Sequence, residues 1–411
     1  MLMGASRRNT YWPGHTGRHR RSVATSTLTP DAETRTPRRS LGEARTIDGA
    51  RPTPRRRRSD VFTHITPSWF AVVMGTGIVA TAAAALPVQV PGRHGFAVAV
   101  WLLAVVLLVV VLAATAAHWV LFPHRARGHL ADPVIGHFYG APPMALLTVG
   151  AGTLVVGRSV VGLHTALVVD VAMWTVGTAL GLATAVVVPA VAHRRGTYAP
   201  HTAFGGWLMP VVAPMVSATT GALLLPHLRS GAHREAMLLA CYAMFAASLA
   251  ASAPLVVLVH RRLLRHGVGP AAAVPTVWIV LGPLGQSATA VNVLGAAPGA
   301  HEHGRHVFGI VYGVVAIGCA LAWLVRAAAV TLRTAADHVP FSLTWWGFTF
   351  PVGTCVTGAA ALATSTGAAP FAVLAVALFV VLLMAWATVL VCTVHAAPTL
   401  LTPPVNQSVG S

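Results

Sequence analysis

The sequence predicts an all-α integral membrane protein in which ten transmembrane helices form five hairpins around a central pore. Three observations support this fold class: the composition, a series of ten long apolar stretches, and helix breakers in alternate stretches. Hydrophobic residues make up 55% of the 411 positions and charged residues only 9%, whereas soluble domains carry about 25% charged residues. The mean hydropathy of +0.69 also indicates that most of the chain lies in lipid.

The first 62 residues differ in composition from the rest of the chain. They are rich in arginine, threonine, serine and proline, and they hold 14 of the 28 basic residues. Such a segment buries too little apolar surface to fold alone, so residues 1–62 are predicted to be a disordered cytoplasmic tail. A basic tail beside a membrane domain explains this charge better than a nucleic-acid-binding domain does, so no nucleic-acid partner is expected.

The transmembrane domain is predicted to span residues 63–397, followed by a short C-terminal tail at residues 398–411. Each apolar stretch reaches the roughly 20 residues that cross a hydrocarbon layer about 30 Å thick. We place the ten helices near residues 67–87, 95–121, 134–157, 162–191, 203–226, 235–259, 271–297, 307–330, 340–365 and 370–396.

Loop arginines predict the orientation of these helices. The loops and helix ends after the even-numbered helices hold nine arginines, and those after the odd-numbered helices hold five. Together with the arginine-rich tail, this difference predicts that both termini are cytoplasmic.

A repeat runs through the odd-numbered helices. Each carries a glycine or proline near its middle or in its first half, and these residues are separated by 68, 71, 69 and 68 positions. Broken helices are tolerated in a membrane where they are buried in protein or line a cavity, so the odd-numbered helices are expected to surround a pore. The alternative is a chance alignment of prolines. The five predicted breaks are at Gly75, Pro143, Pro214, Pro283 and Pro351.

The clearest pore-lining stretch is Thr344–Gly358 in the ninth helix, which combines a proline, three glycines and a line of hydroxyls. Pro351 removes a backbone donor, and its ring would press on the carbonyl four residues earlier, at Gly347. A kink with free backbone polar groups is therefore predicted here, with Phe350 at the bend. Among the four proline breaks, only this one is directly preceded by an aromatic residue.

Neutral polar side chains in the helix interiors are candidates for contact with an anion. Gln286, Ser287 and Thr289 lie in the seventh helix and Thr354 lies in the ninth. Hydrogen bonding between helices is the alternative role for such residues. The Gly75-Thr76-Gly77 segment of the first helix is equally consistent with a close helix–helix contact and with a ligand contact.

Residues for catalysis or metal binding are sparse. Asp170 is an isolated acid in the fourth helix, for which a structural role or snorkelling to the interface is expected. His137 could titrate near neutral pH, which leaves proton coupling open. The loop His301-Glu-His-Gly-Arg-His306 lacks the spacing and the cysteine partner of a typical zinc site. We therefore expect no metal, no cofactor and no enzymatic activity.

Three motifs resemble the tellurite-resistance/dicarboxylate transporter family, which includes bacterial tellurite-resistance proteins, fungal malate permeases and sulfite pumps, and plant slow anion channels. The resemblance covers about residues 64–396. The motifs are Met74-Gly-Thr-Gly-Ile-Val79, Gly282-Pro-Leu-Gly-Gln-Ser287 and Trp345-Trp-Gly-Phe-Thr-Phe-Pro351.

The resemblance implies five hairpins around a pore, a homotrimer, and a phenylalanine in the ninth helix that plugs the pore. Phe350 matches that position better than Phe348 does. The resulting hypothesis is a plasma-membrane permease or channel for small anions, with a C4-dicarboxylate such as malate as the first expected substrate. A sulfite or tellurite-related exporter is the nearest alternative, and an intramembrane enzyme is the alternative from another class.

Overall fold

The computed structural model describes residues 58–297, 301–335 and 339–401, and it confirms ten helices that are long and apolar enough to cross a membrane. We number them in chain order. They are α1 (Pro67–Ala85), α2 (Arg93–Leu121), α3 (Ile135–Val161), α4 (Leu163–Arg194), α5 (Gly205–His227), α6 (Ala232–His266), α7 (Ala271–Gly295), α8 (Glu302–Thr334), α9 (Leu343–Thr366) and α10 (Ala369–Leu401). A short helix, Pro123–His129, follows α2.

The ten helices form an inner and an outer set. Within an apolar stretch of 18 residues in each helix, 67–94% of the residues are buried inside the protein in the odd-numbered helices, against 22–33% in the even-numbered ones. Each odd-numbered helix packs against the even-numbered helix that follows it, as expected for five hairpins. The outer helices present valine and leucine side chains at their exposed surfaces, as lipid-facing helices do.

The inner helices close into a ring. In the order α1, α3, α5, α7 and α9, each packs against the next, and α9 packs against α1. The approach of α7 to α9 depends on Gly285, where an added methyl would lie 2.5 Å from the backbone nitrogen of Cys355. Small residues permit such close helix contacts in membranes. The ring encloses the axis on which the sequence predicted a pore.

Each inner helix changes its winding along its length. It begins as a 3-10 helix, which is narrower and rises further per residue than an α-helix, and it continues as an α-helix. The 3-10 segments are Pro67–Trp69, Ile135–Gly140, Gly205–Trp207, Ala271–Val280 and Leu343–Phe348, and the α-helical segments that follow begin at Phe70, Ala141, Leu208, Leu281 and Phe350.

The even-numbered helices are longer than predicted at their ends. The structure extends α6 to His266, seven residues past the predicted end at 259, and α10 to Leu401, past the predicted domain boundary at 397. Arginine and histidine at the end of α6 lowered the local hydropathy. Helical hydrogen bonding nevertheless continues beyond the apolar part of the helix.

The N-terminal boundary of the membrane domain also differs from the prediction. Residues 1–57 lie outside the described residues, and Arg58–His64 forms a 3-10 helix rather than the end of a disordered tail. Nδ1 of His118 in α2 lies 2.7 Å from the carbonyl oxygen of Phe62, which attaches this segment to the membrane domain. Burial, followed by the nearby Arg125 charge, holds the pKa of His64 below its ordinary value.

Candidate functional site

A cavity of about 480 Å³ lies within the ring of inner helices. Its 25 lining residues come from all five inner helices, except for Ala296 and Ala297, which follow α7 directly. None of them lies in the 3-10 segments at which the inner helices begin; Val155 is in a π-helical turn of α3, Pro226 is in the 3-10 turn that ends α5, and the other lining residues of the helices are α-helical. The cavity is therefore a vestibule in the half of the ring where the inner helices end.

Phe350 lines the cavity and is only 3% exposed. The next lining residue in α9 is Thr357, seven positions further along, which corresponds to about 10 Å of α-helix. No residue that precedes Phe350 in α9 lines the cavity. The Phe350 ring therefore lies at the inner end of the vestibule, where the 3-10 half of the ring begins.

Backbone hydrogen bonds continue on both sides of the bend at Phe350. Pro351 is the second residue of the α-helical segment, a position at which a missing N–H costs little. The Thr349 N–H donates to Trp346 O (3.1 Å), and the Gly353 N–H donates to Thr349 O (2.9 Å). The predicted kink coincides with a change of winding from 3-10 to α-helix, and these two bonds lie on either side of it.

The other predicted breaks occupy two kinds of position. Pro143 and Pro283 are the third residues of their α-helical segments, as Pro210 is in α5. Pro214 lies further inside the α5 helix, and Gly75 lies within the uninterrupted α-helix of α1. The change of winding, rather than these residues themselves, is what recurs in all five inner helices.

Two of the four predicted polar residues line the cavity. Gln286 and Thr289 do so, whereas Ser287 and Thr354 do not. The Ser287 hydroxyl donates to Leu284 O, and the Thr354 hydroxyl donates to Pro351 O at 2.6 Å. These two residues stabilise the helices rather than face the vestibule.

Most hydroxyls in the vestibule already donate to their own helices. They bond to carbonyls three or four residues earlier, at 2.7–3.2 Å, so their protons are not free for an anion. The residues are Thr81, Thr148, Thr219, Thr220, Thr289, Thr357 and Thr364.

The Gln286 amide is different. Its residue is 4% exposed, its side chain lines the cavity, and it has no hydrogen-bond partner among the described residues. By contrast, the Asn292 amide nitrogen donates to Ala288 O and Gly309 O, at 2.9 and 3.1 Å. Gln286 therefore offers two unpaired N–H groups to a molecule in the vestibule.

The sequence prediction missed most of the cavity lining. Thr219, Thr220, Asn292 and Thr364 face the vestibule but were not identified as pore residues. A helical signal was present, since Thr289 and Asn292 are three residues apart, and Thr357 and Thr364 are seven apart. Polar residues at such intervals share one face of a helix.

The Gly75-Thr76-Gly77 segment forms helix contacts. A methyl group added at Gly75 would lie 2.3 Å from Thr349 Oγ1, and one at Gly77 would lie 2.8 Å from Thr148 Cγ2. The Thr76 hydroxyl accepts a bond from Trp386 Nε1 in α10 (3.2 Å). For this segment, the structure favours a close helix–helix contact over a ligand contact. Gly75 is thus in close contact with Thr349, the residue that precedes Phe350.

Asp170 and His137 lie outside the vestibule. Asp170 is fully buried, and a methyl group added at Gly150 in α3 would lie 2.7 Å from its Oδ1, so it does not snorkel to the interface. His137 is surrounded by the rings of Tyr198, Phe204 and Trp207, with centroid distances of 5.5–6.2 Å. Neither residue faces the cavity that an anion would enter.

Sequence comparisons identify relatives of this chain along almost the whole described region. The profile described as SLAC1, voltage-dependent anion channel, matches residues 64–394. Sulfite efflux pump SSU1 of Arthroderma otae is 29% identical over 358 residues, which cover 84% of this chain and 94% of the pump. The SSU1 pump of Trichophyton rubrum is 28% identical over the same length.

An archaeal relative extends the similarity beyond fungi. Uncharacterized transporter MJ0576 of Methanocaldococcus jannaschii is 28% identical over 300 residues, which cover 72% of this chain and 83% of that protein. The profile match covers well over half of the chain and confirms the resemblance carried by the three motifs. The chain therefore belongs to the SLAC1 voltage-dependent anion channel family and is a multi-pass membrane transporter or channel for anions.

Proposed function

We propose that this protein exports sulfite, or a closely similar small oxyanion, through the ring of inner helices. The proposal rests on the similarity of 84% of this chain to named sulfite efflux pumps. The sequence alone placed a C4-dicarboxylate first and a sulfite exporter second. The relatives favour the second of these hypotheses.

The chemistry of the vestibule agrees with a small anion. No charged side chain lines it, and Gln286 is its deep amide with unpaired donors. A compact oxyanion can accept an N–H hydrogen bond from this amide. A dicarboxylate would place its second charge against alanine, valine or hydroxyl groups that already donate elsewhere, and an unpaired charge away from water is costly.

Phe350 is the proposed gate of this pathway. Its ring ends the vestibule, and its neighbour Thr349 is held by Gly75. An anion would pass only when the ring moves aside from the axis. The pore would then conduct without a fixed charge at mid-depth, which favours rapid release over tight binding.

The proposal includes the setting of the protein. We place it in the plasma membrane with both termini in the cytoplasm, because loop arginines are more frequent on the side where the inner helices begin. The vestibule then opens to the outside. A homotrimer remains the proposed assembly, as the family resemblance implied.

A flux panel on purified protein in vesicles tests the substrate. We expect sulfite to move at least about tenfold faster than malate, a difference of ~1.4 kcal/mol between their barriers. Chloride and nitrate complete the panel, which is run with and without a pH gradient. Faster malate than sulfite would return the dicarboxylate hypothesis to first place, and protein-independent flux of all four anions would overturn the transport proposal.

A further inference from the structure

Three arginines lie at the mouth of the vestibule. Each is near the start of an even-numbered helix and reaches back to a backbone carbonyl at the end of the preceding inner helix. Arg93 Nη1 donates to Leu86 O (2.5 Å) and Val88 O (2.7 Å). Arg234 Nη2 donates to Leu228 O (2.5 Å), and Arg305 Nη2 donates to Ala297 O (2.6 Å). We call Arg93, Arg234 and Arg305 the arginine collar.

The accepting carbonyls are at the cavity rim. Ala297 itself lines the cavity, Ala85 lines it one residue before Leu86, and Pro226 lines it two residues before Leu228. Each guanidinium is therefore bonded to the carbonyl of a lining residue or of a residue one or two positions after one. The collar adds three fixed positive charges to a cavity whose lining contains none.

These charges are not neutralised within the protein. No collar arginine forms an ion pair with another described residue, although Glu235 and Glu302 lie in the same helices and are exposed. All three arginines are half-buried, and the Nε atoms of Arg234 and Arg305 are buried without a partner among the described residues. Their positive charge is therefore not offset by an acidic partner among the described residues.

The simpler alternative is that these arginines only cap the ends of the inner helices. A cation near the end of a helix stabilises it by roughly 0.3–1 kcal/mol through the helix dipole. An unpaired charge does not by itself distinguish the two roles, since Arg262 at the other end of α6 also bonds a carbonyl and has a buried Nε without a partner among the described residues. Capping does not, however, require that three hairpins place an arginine at the same rim. Arginines outnumber acids at these helix starts, where Glu235 and Glu302 are the two acids, and a mouth with net positive charge and low-dielectric walls raises the local concentration of anions.

We propose that the arginine collar concentrates small anions at this mouth and sets the rate of anion movement through it. The proposal rests on the anion transport proposed above, and it applies to any small anion because the collar acts by charge. The side of the membrane on which it acts is the one where the inner helices end.

The test compares two triple variants at two salt concentrations. Arg93→Gln, Arg234→Gln and Arg305→Gln together remove the charge, and the corresponding three Arg→Lys changes keep it but lose the guanidinium hydrogen bonds to the carbonyls. Sulfite and chloride flux into vesicles is measured at ionic strengths on the order of 10 mM and 1 M, where the Debye length is about 30 and 3 Å.

A control triple removes equal charge from the other face. Arg194, Arg261 and Arg333 are exposed near the ends of α4, α6 and α8, away from the vestibule. The control is their joint replacement by glutamine. We expect the collar Gln variant to lose at least about tenfold of its flux at low salt when anions start from the vestibule side, as loss of electrostatic steering predicts. The control triple should keep the flux from that side.

The salt dependence separates the collar from a capping role. At 1 M salt the collar Gln variant should match the unmodified protein, and the Lys variant should match it at both concentrations. An equal loss at both salt concentrations, or the same loss in the Lys variant, would overturn the proposal in favour of capping. If the Gln triple does not fold, the three single Gln variants undergo the same salt comparison. Absence of flux in the unmodified protein would instead overturn the transport proposal.

Discussion

The two halves of each inner helix have different compositions and do different things. The 3-10 halves carry large rings, among them Trp69, Phe138, Trp207, Trp278 and Trp346. The α-helical halves instead present alanine, threonine and two amides to a cavity of about 480 Å³. Among the described residues, the cavity is lined by the second half of the inner helices and by none of these rings.

This difference predicts where along the ring anion passage is controlled. The 3-10 winding narrows the helix. Trp278 Nε1 donates to Thr331 Oγ1 in α8 and Trp346 Nε1 donates to Thr393 Oγ1 in α10, so these two rings contact outer helices. The α-helical half needs only small side chains to leave a lumen. The transition between the two falls at Phe350 in α9, the first residue of the α-helical segment. The proposed gate at Phe350 and the proposed donor at Gln286 are thus close to this boundary, and each can be tested separately.

The largest effect is expected from Phe350→Ala. Moving a buried phenylalanine ring out of its site costs about 1.5–3 kcal/mol, so its removal should raise anion flux about 10- to 100-fold. Flux of sulfite and chloride into vesicles measures this. Phe348→Ala is the matched control, because that ring packs on Trp278 and Trp345 and does not line the cavity. Equal increases in both variants would place the gate elsewhere.

A smaller effect is expected from Gln286→Leu. A hydrogen bond to a charged group contributes about 1.5–3 kcal/mol, so loss of the amide should lower sulfite flux by about tenfold or more. Thermal stability should hardly change, since the side chain has no partner among the described residues. Ser287→Ala is the neighbouring control, because its hydroxyl faces Leu284 O rather than the cavity. A stability loss without a flux loss would assign Gln286 to packing.

The sequence was sufficient for the fold and for part of the site. Apolar length and the spacing of Pro143, Pro283 and Pro351 gave ten helices and the inner set, because both depend on local composition. The position of Phe350 followed from its place before a proline. The cavity-lining positions of Thr219 and Thr364 could not be predicted from the sequence. The face of a buried helix that meets the lumen depends on how all five inner helices pack. Pro210 was missed for a related reason: even spacing selected Pro214, and only the winding identifies the start of the α-helical segment.

The smallest effect tests the packing that joins the two halves. Gly285 lies beside Gln286, and a methyl group there would lie 2.5 Å from Cys355 N and 2.6 Å from Thr354 Oγ1. Because backbone cannot yield as a flexible side chain does, Gly285→Ala should destabilise the protein by about 1–3 kcal/mol and lower the thermal midpoint in detergent. Flux per folded molecule should change less than it does in Phe350→Ala.

Gly282→Ala supplies the control in the same helix. A methyl group at Gly282 meets no atom within 4 Å, and alanine is a better helix former than glycine by roughly 1 kcal/mol. Its thermal midpoint should therefore stay the same or rise. If both glycine variants lost stability equally, the contact between α7 and α9 would not determine the separation of the two helices, and the vestibule would owe its width to the side chains that line it.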